Sequence, residues 1–227
     1  MVLTLPSASG SPVPYPLAVG QDDRVKLHAV LAGDHVRLPE SALVPADSAP
    51  QGIIPAAVMR DADPDASPPE IRTVSGETVF VSAERRTELE RFCIDNRIPR
   101  RSRSDVWGDL LEPFLDTEFT TEHQAAAQAR LDQVGLGPDE VAGIRHKVAR
   151  LMRAYNTVHE DWHHLGLADL LDAATADWIP EDQQIRPSEV AAFCAWAMRI
   201  ADLGYSRRTA PRLTRRTRRA PGGGGNH

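Results

Sequence analysis

The sequence predicts an α+β fold, mainly α: a small N-terminal antiparallel sheet of two hairpins, followed by a compact bundle of about six helices. Three observations predict it. Short alternating apolar runs separated by AGD and SGE occur only before residue 82. From Ser82 onward apolar residues recur at helical spacing, with caps and breakers between the segments. With 41% hydrophobic and 26% charged residues in 227, the chain has enough apolar material for a real core.

Residues 1–20 are rich in Pro, Ser and Gly and read as a flexible arm. In the β region, 21–82, VKLHAVL and HVRLP flank the AGD turn, and IRTV and TVFV flank SGE. Between the hairpins, residues 45–70 hold six prolines. So many positions without an N–H donor predict a long surface loop. Two hairpins alone are marginal and need something to pack against.

The helical domain spans 83–205. Ser82 is placed to cap ERRTELERFCIDNR, whose apolar side carries Leu89, Phe92 and Cys93 and which Pro99 ends. After Ser104, the residues Val106, Trp107, Leu110, Leu111, Phe114 and Leu115 form an apolar face that Pro113 kinks or restarts. TTEHQAAAQARLDQVG closes at Gly135, and GPDEVAGIRHKVARLMRAY opens on Pro138 followed by acids. A fifth helix is predicted from Val158 to about Ala174, and PSEVAAFCAWAMRIADLG makes the sixth. Cys93 and Cys194 sit in apolar helical contexts that suit buried, reduced thiols.

Charge is divided unevenly. Residues 206–227 carry Arg207, Arg208, Arg212, Arg215, Arg216, Arg218 and Arg219 and no acid, which leaves 19 basic against 32 acidic residues elsewhere, a net of −13. The tail has almost no large apolar side chains, so it is predicted to be disordered. Its arginines form a candidate anion-binding arm, for nucleic-acid phosphates, for anionic lipid or for the protein's own acidic body. RIPRRSRSD adds Arg97, Arg100, Arg101 and Arg103 between two helices, and DADPD at 61–65 reads as a solvated turn. The N-terminus lacks the basic start and sustained apolar run of a secretory signal, so a cytoplasmic location without a membrane partner is expected.

One stretch names a reaction. HEDWHHLGLAD, from His159 to Asp169, fits the HExxHxxGxxD pattern of metzincin-type zinc proteases. Two histidines four apart on a helix share a face, a third ligand closes the coordination, and the Glu activates water. The candidate ligands are therefore His159, His163 and Asp169, the general base is Glu160, and zinc is the cofactor implied. His123 or His146 from neighbouring helices could replace Asp169 as third ligand. The context argues for plainer roles: Thr157 and Glu160 have the spacing of a capping box, Asp161 and Trp162 put charge and bulk inside the motif, and the upstream residues are helical where a protease would have a sheet.

Between Ser104 and about Leu171 the chain resembles a bacterial domain family in which a V-W entry leads to L-F-L-D-T-E, then to E-x-x-x-I, and then to an Asn before an E-W pair. The residues that carry the likeness are Val106, Trp107, Phe114, Leu115, Asp116, Thr117, Glu118, Glu140, Ile144 and Asn156, with Glu160 and Trp162 near the E-W pair. The resemblance implies no activity, and the family pattern has no HExxH, which makes the histidines particular to this chain. The function expected from the sequence is that of a non-catalytic cytoplasmic interaction or regulatory protein whose partner is another protein. A zinc-dependent hydrolase or other mononuclear metal protein, and nucleic-acid association through the tail, are the alternatives.

Overall fold

The structure is a computed structural model that describes residues 29–38, 50–160 and 163–205. Within them the fold is α+β, mainly α, with two three-stranded antiparallel sheets followed by six α-helices. The predicted arm and the Arg-rich tail lie outside the described residues. No described helix is long and apolar enough to cross a membrane.

The first sheet runs β1 (Val30–Ala32), β2 (His35–Arg37), β3 (Ile53–Pro55), and the second β4 (Met59–Asp63), β5 (Glu70–Thr73), β6 (Thr78–Phe80). Both predicted hairpins are present, and the left-handed glycines Gly33 (φ 58°) and Gly76 (φ 98°) make their turns. The stretch predicted as a surface loop is corrected: it contains β3 and β4. Its prolines fall where strands tolerate them. Pro55 ends an edge strand, while Pro64, Pro68 and Pro69 lie between β4 and β5. Ile53 and Ile54 are left to pair with β2, and the proline-free β4 to pair with β5.

The second sheet has two different faces. The pleat of β5 and β6 sends Ile71 and Val79 into a core shared with Leu89, Phe92 and Cys93 of helix α1 (Arg86–Asn96). Glu70, Arg72, Thr78 and Phe80 point the other way, toward the helices. In β4 the register shifts between Met59 and Asp61, so Arg60 is an extra residue against β5. That bulge inverts the alternation, and Met59 and Ala62 join the core while Asp61 and Asp63 join the polar face. The outer edge of β4 is covered, because Ala62 donates to the Pro99 carbonyl (3.0 Å) and its own carbonyl accepts from Arg101 (2.8 Å).

The other helices are α2 (Val106–Leu111), α3 (Thr121–Gln133), α4 (Pro138–His159), α5 (Leu167–Thr175) and α6 (Pro187–Asp202). The predicted break at Pro113 is present: α2 ends at Leu111, and a 3-10 turn over Glu112–Phe114 follows. Asp105 caps α2 by accepting the Gly108 N–H at 2.9 Å. Trp107 is 1% exposed and donates from Nε1 to the Ala197 carbonyl at 2.9 Å, which ties α2 to α6 inside the helical core. Asn156 on α4 donates to the Phe114 carbonyl (2.9 Å) and to Asp116 (3.2 Å). Those contacts bring together residues of the FLDTE stretch and the distant Asn.

Two hydrophobic cores result. One joins both sheets to α1, and the other joins α2–α6 with Phe80 as its one strand residue among those described. The sequence reading groups α1 with the helices, but its buried side chains are in the core of the sheets. Cys93 and Cys194 are free and buried, one in each core, and burial pushes the pKa of each thiol up to about 11.

Candidate functional site

The HExxH motif does not lie on one helix. His159 is the last residue of α4, Glu160 is its left-handed C-cap (φ 49°), residues 161–162 lie outside the described residues, and α5 begins only at Leu167. The single helix expected from Val158 to Ala174 is thus two, broken at the motif. With α4 ending at His159, the four-residue spacing no longer puts two imidazoles on one helix face. His159 packs in an aromatic cluster, its ring centroid 4.2 Å from Tyr155 and 5.4 Å from Trp178, whereas His163 is exposed.

The other members of the motif have structural tasks. Thr157 donates to the Arg153 carbonyl at 2.7 Å, so no capping box forms with Glu160. Asp169 is buried and accepts the Gly166 N–H at 2.8 Å, capping α5. His123 bonds Glu112 through Nε2 at 2.5 Å and stacks on Phe119, while His146 is exposed on α4 beside Arg145 and Arg150. Among the described residues no three His, Cys, Asp or Glu side chains converge on a point that could hold a metal. These donors do not fit zinc. The seven tail arginines lie outside the described residues.

What the structure brings together instead is a set of charges at the seam between the two cores. Arg72 is fully buried. Its Nε donates to Asp61 at 2.5 Å, one terminal nitrogen to Glu70 at 2.7 Å, and the other to the Arg101 carbonyl. Arg103 grips the same Glu70 with Nε (2.9 Å) and a terminal nitrogen (2.6 Å), and its remaining nitrogen reaches Asp202 at the end of α6 (3.1 Å). Arg60, turned outward by the bulge, forks onto Asp202 at 3.1 and 3.2 Å. Three arginines thus meet three carboxylates. Tyr205 closes the set: its hydroxyl donates to Asp61 at 2.5 Å, and the guanidinium carbons of Arg60 and Arg72 each stand 4.7 Å from its ring centroid. Burial and the bond to Asp61 both raise the Tyr205 hydroxyl above its ordinary range. Burial alone would lower Arg60, but its bonds to Asp202 and Tyr205 outweigh this and raise it.

Beside this network lies a cleft of about 260 Å³ between the β4–β5 turn, the segment 102–105 and the start of α5. Phe80, Trp107 and Leu167 line its apolar side, and Ser102, Asp63 and Asp105 its polar side. Asp105 pairs with His164 Nε2 at 2.7 Å on the rim. Two glycines make room for that pair. A Cβ on Gly108 would stand 2.5 Å from the Asp105 carboxylate, and one on Gly166 would stand 2.8 Å from the His164 ring. Burial works to raise the Asp105 carboxyl, yet the bonds from His164 and the Gly108 N–H prevail and hold it below its usual range.

Asp63 differs from the other acids. It is 6% exposed, lines the cleft, and accepts a hydrogen bond from the Asp65 N–H at 3.1 Å. No cation among the described residues reaches it. By contrast Asp65 meets Arg86 at 3.3 Å, and Glu70 meets two arginines. The sequence reading of DADPD as a solvated turn is therefore corrected, because Asp61 and Asp63 are buried on the polar face of β4. The local composition could not reveal this: besides the neighbouring Arg60 (3.4 Å), the buried partners of Asp61 are distant in sequence, the guanidinium of Arg72 and the hydroxyl of Tyr205. Of the RIPRRSRSD arginines, Arg97 is the left-handed cap of α1 and Arg103 is built into the seam.

No protein family, curated protein or solved structure matches the chain.

Replacing Arg72 by Met leaves Asp61 and Glu70 buried with fewer partners and should cost about 3–5 kcal/mol in urea unfolding; a loss below about 1 kcal/mol would show that the seam is not held by this residue. Because the folded carboxyl of Asp105 lies below its unfolded value, its contribution is fully present above about pH 4 and disappears as pH falls through the folded value. Acid titration of stability should accordingly be less steep below pH ~4 in Asp105→Asn than in the wild type. Identical slopes would contradict the pairing.

Proposed function

We propose that the protein is a non-catalytic interaction protein that holds a basic side chain of a partner protein in the seam cleft. The observation that carries this reading is Asp63, a carboxylate buried in the cleft wall that forms no ion pair among the described residues, because Arg103, which lines the same cleft, is engaged by Glu70 and Asp202. Burying an ionised carboxylate without a counter-charge costs several kcal/mol, and a guanidinium or ammonium entering the cleft would offset that cost. Apolar Leu167 and the rings of Phe80 and Trp107 would cover the stem and face of such a group, and Ser102 offers an acceptor for its remaining N–H bonds. At about 260 Å³ the cleft suits one side chain better than a larger ligand.

Isothermal titration of the full-length protein with an acetylated, amidated hexa-arginine peptide at physiological ionic strength tests the reading. Asp63→Asn should weaken binding by at least about tenfold, while Asp177→Asn, the same change of charge at an exposed position away from the cleft, should leave it unchanged. Equal weakening by both variants, or no binding either to the wild type or to a variant whose tail arginines are replaced by serine, would overturn it.

A further inference from the structure

We infer that the arginine-rich segment 206–227 of this same chain docks in the seam cleft and competes there with the partner, so that the tail regulates access to Asp63. The inference rests on the cleft as a site for a basic side chain and adds the identity of an occupant.

Three features lead to it. The first is where the described chain ends. Tyr205 is fastened to the seam, its hydroxyl on Asp61 and its ring beside Arg60 and Arg72, so the tail starts next to the cleft. The second is reach. Asp63 lies two residues beyond Asp61 on β4 and on the same face, a separation of roughly 6.6 Å. Arg207 comes two residues after Tyr205, which is at most roughly 7 Å of chain before its own side chain is added. At up to roughly 3.3–3.6 Å per residue the 22 tail residues cover this separation and the added length of the Tyr205 side chain, so tail arginines can reach Asp63 without any displacement of Tyr205. The third is charge. The tail carries seven arginines and no acid against a remainder of net −13, and Asp63 is a buried carboxylate that faces the cleft and forms no ion pair among the described residues, Arg103 of the cleft wall being engaged by Glu70 and Asp202.

Tethering makes the encounter intramolecular, which replaces a free concentration by an effective one that is high for a short connection. A tail that occupies the cleft about nine-tenths of the time would reduce the apparent affinity for an outside basic ligand about tenfold. The partner must then either outbid the arginines or draw them away, and anything that binds or modifies the tail opens the cleft.

The test compares wild-type protein with a full-length variant in which all seven tail arginines are replaced by serine, titrated with the hexa-arginine peptide. The tail variant should bind about tenfold more tightly than the wild type, and Asp63→Asn in the tail-variant background should remove the gain. Trypsin supplies a second measurement. Cleavage within the tail should be about tenfold faster in Asp63→Asn than in the wild type, at a rate independent of protein concentration. Equal peptide affinities with and without the tail arginines would overturn tail docking while leaving the cleft reading intact. Failure of the peptide to bind either protein would instead remove the cleft reading itself. A cleavage rate that falls as protein concentration rises would overturn the intramolecular contact in favour of docking into a second copy. Binding of a DNA duplex that depends on the tail arginines, with unchanged peptide affinity, would assign the tail to nucleic acid and overturn the proposal.

Discussion

Arg72 is the constraint on which the arrangement of the two halves depends. A guanidinium with no solvent exposure must find all its partners inside the protein. It finds them on three separate pieces of chain: Asp61 from β4, Glu70 from its own strand, and the Arg101 carbonyl from the segment that leads to α2. Once Glu70 and Asp61 are committed to Arg72, their remaining oxygen valences reach outward to Arg103 and Tyr205. Through Arg103 and Arg60 the charges extend to Asp202 at the end of α6. A hydrophobic contact between sheet and bundle would tolerate some sliding, since it has no preferred direction. Forked ion pairs at 2.5–3.2 Å do not, and they fix the sheet against the helices in one register.

This constraint explains the bulge at Arg60. Without an extra residue in β4, Met59 and Asp61 would share a face, and either an apolar side chain would enter the seam or a carboxylate would enter the core. The register shift resolves the conflict by sending Met59 to the core, Asp61 and Asp63 to the seam, and Arg60 sideways to Asp202. The same alternation leaves Asp63 buried one step past the last neutralised acid. The binding property proposed for the cleft is therefore a by-product of the way the seam is built: the network balances three arginines with three carboxylates, and Asp63 is a fourth.

The sequence was legible where local patterning decides the structure. The helical faces of Leu89, Phe92 and Cys93 and of Val106 to Leu111 are periodic, and they were buried as read, as was Cys194. Gly33 and Gly76 marked both hairpins. It was illegible where distant residues decide. Six prolines hid β3 and β4, because what matters is which ladder positions they avoid, and that requires knowing the partner strands. The acids of DADPD looked solvated because Arg72 is eleven residues from Asp61 and Tyr205 is 144. HExxH looked helical at every position, yet Glu160 turns left-handed and the chain restarts at a glycine whose N–H Asp169 caps. One signal was available: Arg72 between Ile71 and Thr73 places a charge inside an alternating strand, where it must face either solvent or a matching set of acids.

The buried charge set makes sheet and bundle one cooperative unit, although their hydrophobic cores are separate. Native-state hydrogen exchange measures this directly. The slowest amides of β5 and β6 and those of α6 should exchange with the same opening free energy and the same denaturant dependence, because opening the seam exposes both cores together. If the strand amides instead exchange through an opening with a distinctly lower free energy while α6 remains protected, the seam does not couple the two halves, and sheet and bundle are held together by something other than Arg72 and its partners.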